Sequence, residues 1–398
     1  MLDHAKPFAG IKVCDIAQGI AAPYVGMLLA QYGADVIKIE PFDGDWVRNM
    51  GGRIAGDHSA QSLATNRGKR SIALDLKTPG GLAVAKRLAA EADVVTQSFR
   101  PGVIERLGLG YETVRESNPN AIYLSVSGFG LTGPLASRPA TDAILQGYSG
   151  LQSITRVDTT AGDNIPTRVG MAIIDYITGL SAFQAVSVAL FARAGGAGGK
   201  HVEVSLMQSA FAVQAGQFIR EASQGGQPPA NGVPVGTFRT TDGWLNLSAN
   251  RPDSFGKVCD ALGLADLKAH PDYQTHKDRI WRAGEINKAL APILADRPAA
   301  EWVDLFSGLG LMAVRVNEYA DVLADAHVQA VGAFMAIEQP DVGTIPVPVP
   351  PGTDALPEGD PRRPSPSIGQ DTTAVLAELG YGEYEIADLR SAGAIPPA

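Results

Sequence analysis

Short apolar runs alternate with longer amphipathic stretches through the first half of the chain. Ile11–Ala17 (IKVCDIA) is a continuous apolar run of strand length; Pro23–Tyr32 has helical spacing, opens on a proline and stops before Gly33; Asp35–Glu40 (DVIKIE) is strand-like again. Together they predict a βαβ unit. The pattern recurs with a strand over Ser71–Leu76, a helix over Pro79–Ala92 capped by Thr78, a strand over Asp93–Phe99, short helices, and a strand over Ala121–Val126. Strands that alternate with helices imply a mostly parallel sheet covered on both faces, so the first half is expected to be a doubly wound α/β domain.

From Met171 a long helical stretch runs to the glycine cluster Gly195–Gly199, followed by a short strand at His201–Val204 and a helix from Ser205. The tempo then changes. Gln224–Gly236 (QGGQPPANGVPVG) reads as an exposed linker, and Thr237–Ser248 as a hairpin turning at Thr241-Asp242-Gly243. Helices around Ser254–Leu262, Arg282–Ala295 and Ala299–Gly308 and a strand at Met312–Val316 are expected to form a second, smaller α+β domain. The tail carries extended chain over Pro346–Pro361 and a helix over Thr372–Leu379, long enough to wrap back onto the first domain. The boundaries are drawn at 1–223 for the large domain, 224–330 for the small domain with its linker, and 331–398 for the returning C-terminal segment.

Composition narrows the partners. The 398 residues carry 33 Lys+Arg against 42 Asp+Glu, a net charge of −9, and hold no basic run of the kind that neutralises a phosphate backbone, which argues against nucleic acid. The 45 Gly and 27 Pro are scattered, not periodic, which argues for many turns and against collagen-like or low-complexity chain. Two cysteines, Cys14 and Cys259, are too few for a secreted disulfide framework, so a reducing cytoplasm is expected. The N-terminus lacks a signal pattern, and the apolar stretch Met171–Ala194 is interrupted by Asp175, Gln184 and Arg193, so no membrane association is expected.

Several familiar chemistries lack their residues. The first βα turn, Gln18-Gly19-Ile20-Ala21-Ala22-Pro23, has one glycine where a dinucleotide fingerprint needs three. Gly195–Lys200 resembles a phosphate loop but has Ala194 at its first glycine position and His201 where the magnesium-binding hydroxyl belongs. There is no H-E-x-x-H, paired C-x-x-C or G-x-S-x-G, and His270 and His276, with Asp272 and Asp278, read as a solvated loop rather than a metal site.

One carboxylate stands out. Asp175 is flanked by Ile173, Ile174, Tyr176 and Ile177, and burial without partners is costly for a charge. Either it is a helix-start Asp favoured by backbone N–H groups and the dipole, or it is a poorly solvated carboxylate nucleophile.

Around this residue the sequence resembles the family III CoA-transferases (the CaiB/BaiF family), a group that includes formyl-CoA, carnitine and succinyl-CoA transferases and related acyl-CoA racemases. The resemblance covers nearly the whole chain. It rests on Gly10–Asp15 with Ala22-Pro23; Gly33–Pro41; Gly44-Asp45 with Arg48; Asn66–Lys77; Ser98–Gly102; Ser127–Gly130; Asp175 with Thr178-Gly179; Thr241–Trp244; and Gly369–Thr372 with Leu379-Gly380. It implies a Rossmann-like large domain built from both chain ends, a small inserted domain, and an interlocked homodimer. It makes Asp175 the nucleophile of CoA transfer from an acyl-CoA to a carboxylic acid, through an aspartyl anhydride and an aspartyl-CoA thioester. Coenzyme A is then a substrate, and no permanently bound cofactor or metal is implied.

The positions matching the family's CoA contacts are Ile20 and Ala21, Pro41, Leu74, Asp75, Leu76 and Lys77, Ser98, Phe99 and Arg100, Arg106, and Arg138, Pro139, Ala140 and Thr141. Lys77, Arg100, Arg106 and Arg138 would meet phosphates. Asp142 matches an acidic position near the reaction centre, either orienting substrate or capping the helix that begins there. Arg48 and Arg168 are candidate cations for an acceptor carboxylate.

Departures bear on specificity. Where oxalate-type relatives carry Gln, Trp and Tyr, this chain has Ile20, Met50 and Thr141, and a glycine-rich flap is not evident around Ser248–Arg251. The racemase branch uses a His immediately before the acid at the Asp142 position, which is Thr141 here, so racemisation is the weaker alternative. A non-catalytic CoA-binding relative is the third reading.

Overall fold

In a computed structural model that describes residues 4–158, 164–225 and 232–397, the chain divides into two compact units. One is discontinuous, Met1–Ala215 with Gly332–Ala398; the other is Gly216–Val331. The expected linker Gln224–Gly236 lies partly outside the described residues, and its last two positions already belong to a strand.

The first unit is built on a six-stranded parallel sheet of β1 (Lys12–Asp15), β2 (Asp35–Glu40), β3 (Arg70–Ala73), β4 (Val94–Gln97), β5 (Ile122–Ser127) and β8 (Lys200–Ser205). Between the last two, β6 (Arg156–Asp158) and β7 (Asn164–Pro166) form a small antiparallel pair of their own. The sheet order is β3-β2-β1-β4-β5-β8, that of a dinucleotide-binding doubly wound sheet. In register, Cys14 lies beside Ile37 on one side and Val95 on the other, and β4 and β5 are buried at every position, their polar residues included, with Gln97 donating to the Ser125 hydroxyl at 2.8 Å.

Helix Ala21–Gln31 joins β1 to β2 and packs on one face of the sheet together with helix Ile173–Ala194, through Val25, Leu29, Ala182 and Val186. The long helix meets the length and apolarity of a membrane span, yet these buried residues make it a core helix of the unit. Helix Pro79–Glu91 covers the other face, opened by Thr78, whose hydroxyl accepts from the Gly81 N–H at 3.1 Å. Helices Thr372–Glu378 and Glu383–Ser391 join that layer, with Val375, Leu376 and Ile386 packed among Leu74, Val84 and Leu88. The strand expected over Ser71–Leu76 stops at Ala73, because the Asp75 N–H turns away to bond the Ala394 carbonyl at 3.0 Å. Ahead of the extended Pro-rich tail, Phe334–Gln339 and Gly343–Pro348 pair as an antiparallel hairpin that sequence patterning had not marked.

The second unit holds a three-stranded antiparallel sheet of Val235–Thr240, Gly243–Ser248 and Met312–Arg315, with the middle strand in the centre. Its hairpin turns at Thr241-Asp242, where Asp242 Oδ1 accepts from the Ala299 N–H (2.8 Å) and the Thr240 hydroxyl (3.0 Å). Phe238, Leu245, Leu247, Ile286, Leu290, Trp302 and Phe306 form its core.

Candidate active site

Strand order reverses direction between β1 and β4, and in open α/β sheets the crevice beyond the C-terminal ends of such a pair is where ligands bind. The loops leaving the two strands are tied there by Ser98, whose hydroxyl accepts from the Gln18 N–H (2.9 Å) and donates to the Gln18 carbonyl (3.0 Å). Above them lies a cleft of about 430 Å³ walled by Gln18–Ala22, Ser98–Pro101, Val126–Gly128, Ala136, Arg138, Ala140, Thr141, Trp46, Leu206 and Asp175. Its size suits one small-molecule ligand or part of a larger one. Helix Ala21–Gln31 begins at this wall without a side-chain cap, so its dipole and first N–H groups favour an anion there.

A layer of buried charges fixes the loop after β1. Lys38 donates to the Ala17 carbonyl (2.8 Å) and pairs with Asp45 (3.0 Å), both side chains fully buried. Asp45 Oδ1 in turn accepts from the N–H groups of Gly19 (2.9 Å) and Val47 (3.1 Å), which starts the short 3-10 turn Trp46–Asn49. Lys69 donates to Asp15 (2.7 Å), the Pro23 carbonyl (2.7 Å) and Asn66 (2.9 Å); burial pulls its ammonium down to about 8, with Asp15 opposing the fall. Gly19 adopts φ +88°, and a Cβ there would stand 2.6 Å from the Trp46 ring, so only glycine lets the indole close against the loop.

Asp175 is the third residue of helix Ile173–Ala194 and the one carboxylate among the residues of the cleft wall. The end of this helix is capped from another element: Asp142 Oδ2 accepts from the N–H groups of Ile174 (2.7 Å) and Asp175 (3.2 Å). Gln146 holds that cap, donating to Asp142 Oδ1 (2.6 Å) and accepting the Val169 N–H (2.8 Å). The carboxylate of Asp175 accepts no hydrogen bond from the described residues, and burial first, then the Asp142 charge, push it up to about 7. At neutral pH it is therefore poised between acid and carboxylate.

Of the expected site residues, the structure brings Ile20, Ala21, Ser98, Phe99, Arg100, Arg138, Ala140, Thr141 and Asp175 into one wall. Arg100 and Arg138 are exposed there and supply positive charge. Pro41, Leu74, Asp75, Leu76, Lys77, Arg106 and Pro139 are not part of that wall; Leu74 is core.

Arg168 is exposed and likewise outside the wall.

Two expectations are corrected. Arg48 is not available to an acceptor acid: it is fully buried, donates from Nε and Nη2 to the two oxygens of Glu40 (2.7 Å each) and from Nη2 to the Pro366 carbonyl, and pairs with Asp57 at 3.4 Å. That fork holds Glu40 down at about 2 against the effect of burial. Asp142 does not cap its own helix start: it is 8% exposed and lies outside the cleft wall, with both oxygens engaged by the Asp175 helix and Gln146.

Sequence reasoning missed Trp46, which lies 54% exposed in the wall and supplies the aromatic surface sought at Met50. An exposed Trp following the Gly44-Asp45 turn was the available signal.

The crevice, the uncapped helix start, the two arginines and the isolated carboxylate define a site for an anionic ligand beside a poorly solvated acid. The profile of CoA-transferase family III matches residues 8–372, and the chain belongs to that family and is a CoA-transferase. It is 35% identical to human succinyl-CoA:glutarate CoA-transferase over 402 residues, covering 99% of this chain and 91% of the relative. It is 34% identical to the succinate–glutarate CoA-transferase of Agrobacterium fabrum, covering 95% and 97%. The crystal structure of a CaiB/BaiF family protein from Brucella suis superposes with a TM-score of 0.81 at 32% identity, covering 94% of this chain and 99% of that one.

Proposed function

We propose that the protein moves CoA from an acyl-CoA thioester to a free carboxylic acid, with Asp175 as the covalent relay. The observation that carries this reading is the isolation of Asp175: a carboxylate in the cleft wall, without a hydrogen-bond donor among the described residues, with its pKa raised to about 7. A carboxylate so poorly solvated is a better nucleophile than one in water, and near neutrality a large fraction is ionised. Its oxygen attacks the donor thioester carbonyl, the C–S bond breaks, and an aspartyl anhydride and CoA thiolate form. The thiolate attacks the aspartyl carbonyl, releasing the donor acid and leaving an aspartyl-CoA thioester. The acceptor carboxylate then attacks that thioester, and the returning thiolate takes the acyl group and regenerates Asp175. Group transfer balances at each step without water, oxidant or metal.

Arg100, Arg138 and the start of helix Ala21–Gln31 suit the phosphates and the oxyanions of these steps. The relatives named for succinyl-CoA and glutarate support short dicarboxylic acids as the acyl and acceptor class. An interlocked homodimer is part of the same reading, drawn from the family resemblance, as is a cytoplasmic location. Exchange of CoA between succinyl-CoA and glutarate, followed by chromatography, tests the reading. Wild type is expected to form glutaryl-CoA and Asp175→Asn to form none while still binding CoA; undiminished transfer by the variant would overturn it.

A further inference from the structure

A second pocket, of about 460 Å³, lies in the first unit and shares no wall residue with the cleft. Its walls are apolar: Met27, Ile54, Leu63, Ala64 and the run Ile345–Pro351, with the rings of Tyr24 and Tyr176. The exception is Arg67, 3% exposed. Among the described residues its Nη2 reaches only the Pro348 carbonyl, at 3.4 Å, and its Nε and Nη1 have no acceptor. Burial lowers its pKa to about 10, opposed by Tyr24, and no carboxylate among the described residues acts on it. It therefore stays cationic at neutral pH, and a buried cation without a counter-ion is among the costlier arrangements in a protein.

We propose that this pocket is a binding site for an apolar monocarboxylate, a medium-chain fatty acid in its chemistry, with the carboxylate on the Arg67 guanidinium and the tail against Met27, Leu63, Ala64 and the proline-rich wall. Two N–H groups on one face of a guanidinium match the two oxygens of a carboxylate, and the remaining wall offers a longer charged ligand no second charged side chain. The depth of Arg67 favours a slender ligand over a protein surface. The site is coupled to the cleft by adjacency: Tyr176 follows Asp175, and its ring meets Tyr24 edge-on at 5.0 Å between centroids. The inference does not depend on the covalent mechanism.

Isothermal titration of the full-length protein with decanoate, in the presence of saturating CoA to occupy the cleft, tests it. The expected result is saturable binding at one site per chain, at least tenfold weaker for decanol, and lost in Arg67→Met and in Ala64→Phe, which fills the pocket. Arg67→Met is also expected to unfold at a higher temperature than wild type without ligand, since it removes the unpaired charge. Absence of decanoate binding to wild type, as when a second copy of the chain fills the pocket, would overturn the proposal. So would equal affinity for decanol, or binding undisturbed by Ala64→Phe.

Discussion

The Asp142 carboxylate accepts the backbone N–H of Asp175 at 3.2 Å and that of Ile174 at 2.7 Å, so a neighbouring acid occupies the helix N–H groups that would otherwise lower the pKa of Asp175. The same contact orients the Asp175 backbone and places a like charge beside its side chain. Asp142 is thus a positioning residue with an electrostatic effect.

That geometry predicts a pH–rate profile. Transfer requires ionised Asp175, so kcat/KM should rise with pH through about 7 and level off above it. In Asp142→Asn the amide oxygen still caps the helix but the like charge is gone, and the acid limb should move to lower pH. A limb that stays in place would mean that Asp142 does not govern the ionisation.

Stability should depend on pH in the opposite sense. The folded Asp175 keeps a proton up to about 7, whereas the unfolded chain releases it near the ordinary 3.8, so between those values the folded state binds more protons and stability falls as pH rises. Asp175→Asn should be more stable than wild type at pH 8 by about 1–3 kcal/mol and about equal below pH 4. Urea titrations at the two pH values read this directly.

Gly19 and Trp46 form a matched pair in the cleft wall. In Gly19→Ala the added methyl meets the indole, and φ +88° is strained for any residue with a Cβ. The loop or the indole must shift, and KM for CoA substrates should rise about tenfold or more, with a loss of about 1–2 kcal/mol in unfolding from the strained backbone. Gly19→Ala combined with Trp46→Ala should recover part of the loss.

Arg48 should report as structure. Arg48→Met takes from buried Glu40 its guanidinium partner, leaving the Asp45 N–H, the Ser71 hydroxyl and the more distant Lys38, and should cost about 3 kcal/mol in denaturant unfolding. A role at the substrate would instead raise KM for the acceptor acid and leave the unfolding midpoint alone.

The sheet was legible because its information is local. Runs such as DVIKIE in β2 announce a strand by their β-branched residues, and Thr78 and Pro79 announce a helix start. What was illegible depends on distant partners. Asp75 leaves the sheet for a carbonyl at Ala394, Arg48 is withdrawn from the site by Glu40 and Pro366, and Asp142 caps a helix more than thirty residues away. The hairpin Phe334–Pro348 was masked by its prolines, Pro346 and Pro348, which read as extended chain. In the site, Asp175 could be singled out by its apolar neighbours, while its unusual ionisation comes first from burial and then from the charge of Asp142, a partner that sequence distance hides.

The covalent relay is tested most directly at Asp175 itself. Wild-type protein is incubated with succinyl-CoA, treated with borohydride and digested, and the peptide spanning position 175 is read by mass spectrometry. An aspartyl thioester would be reduced to the side-chain alcohol, so homoserine at position 175 is the predicted result, absent without donor. An unmodified Asp175, recovered from protein that is transferring CoA under the same conditions, would contradict the account.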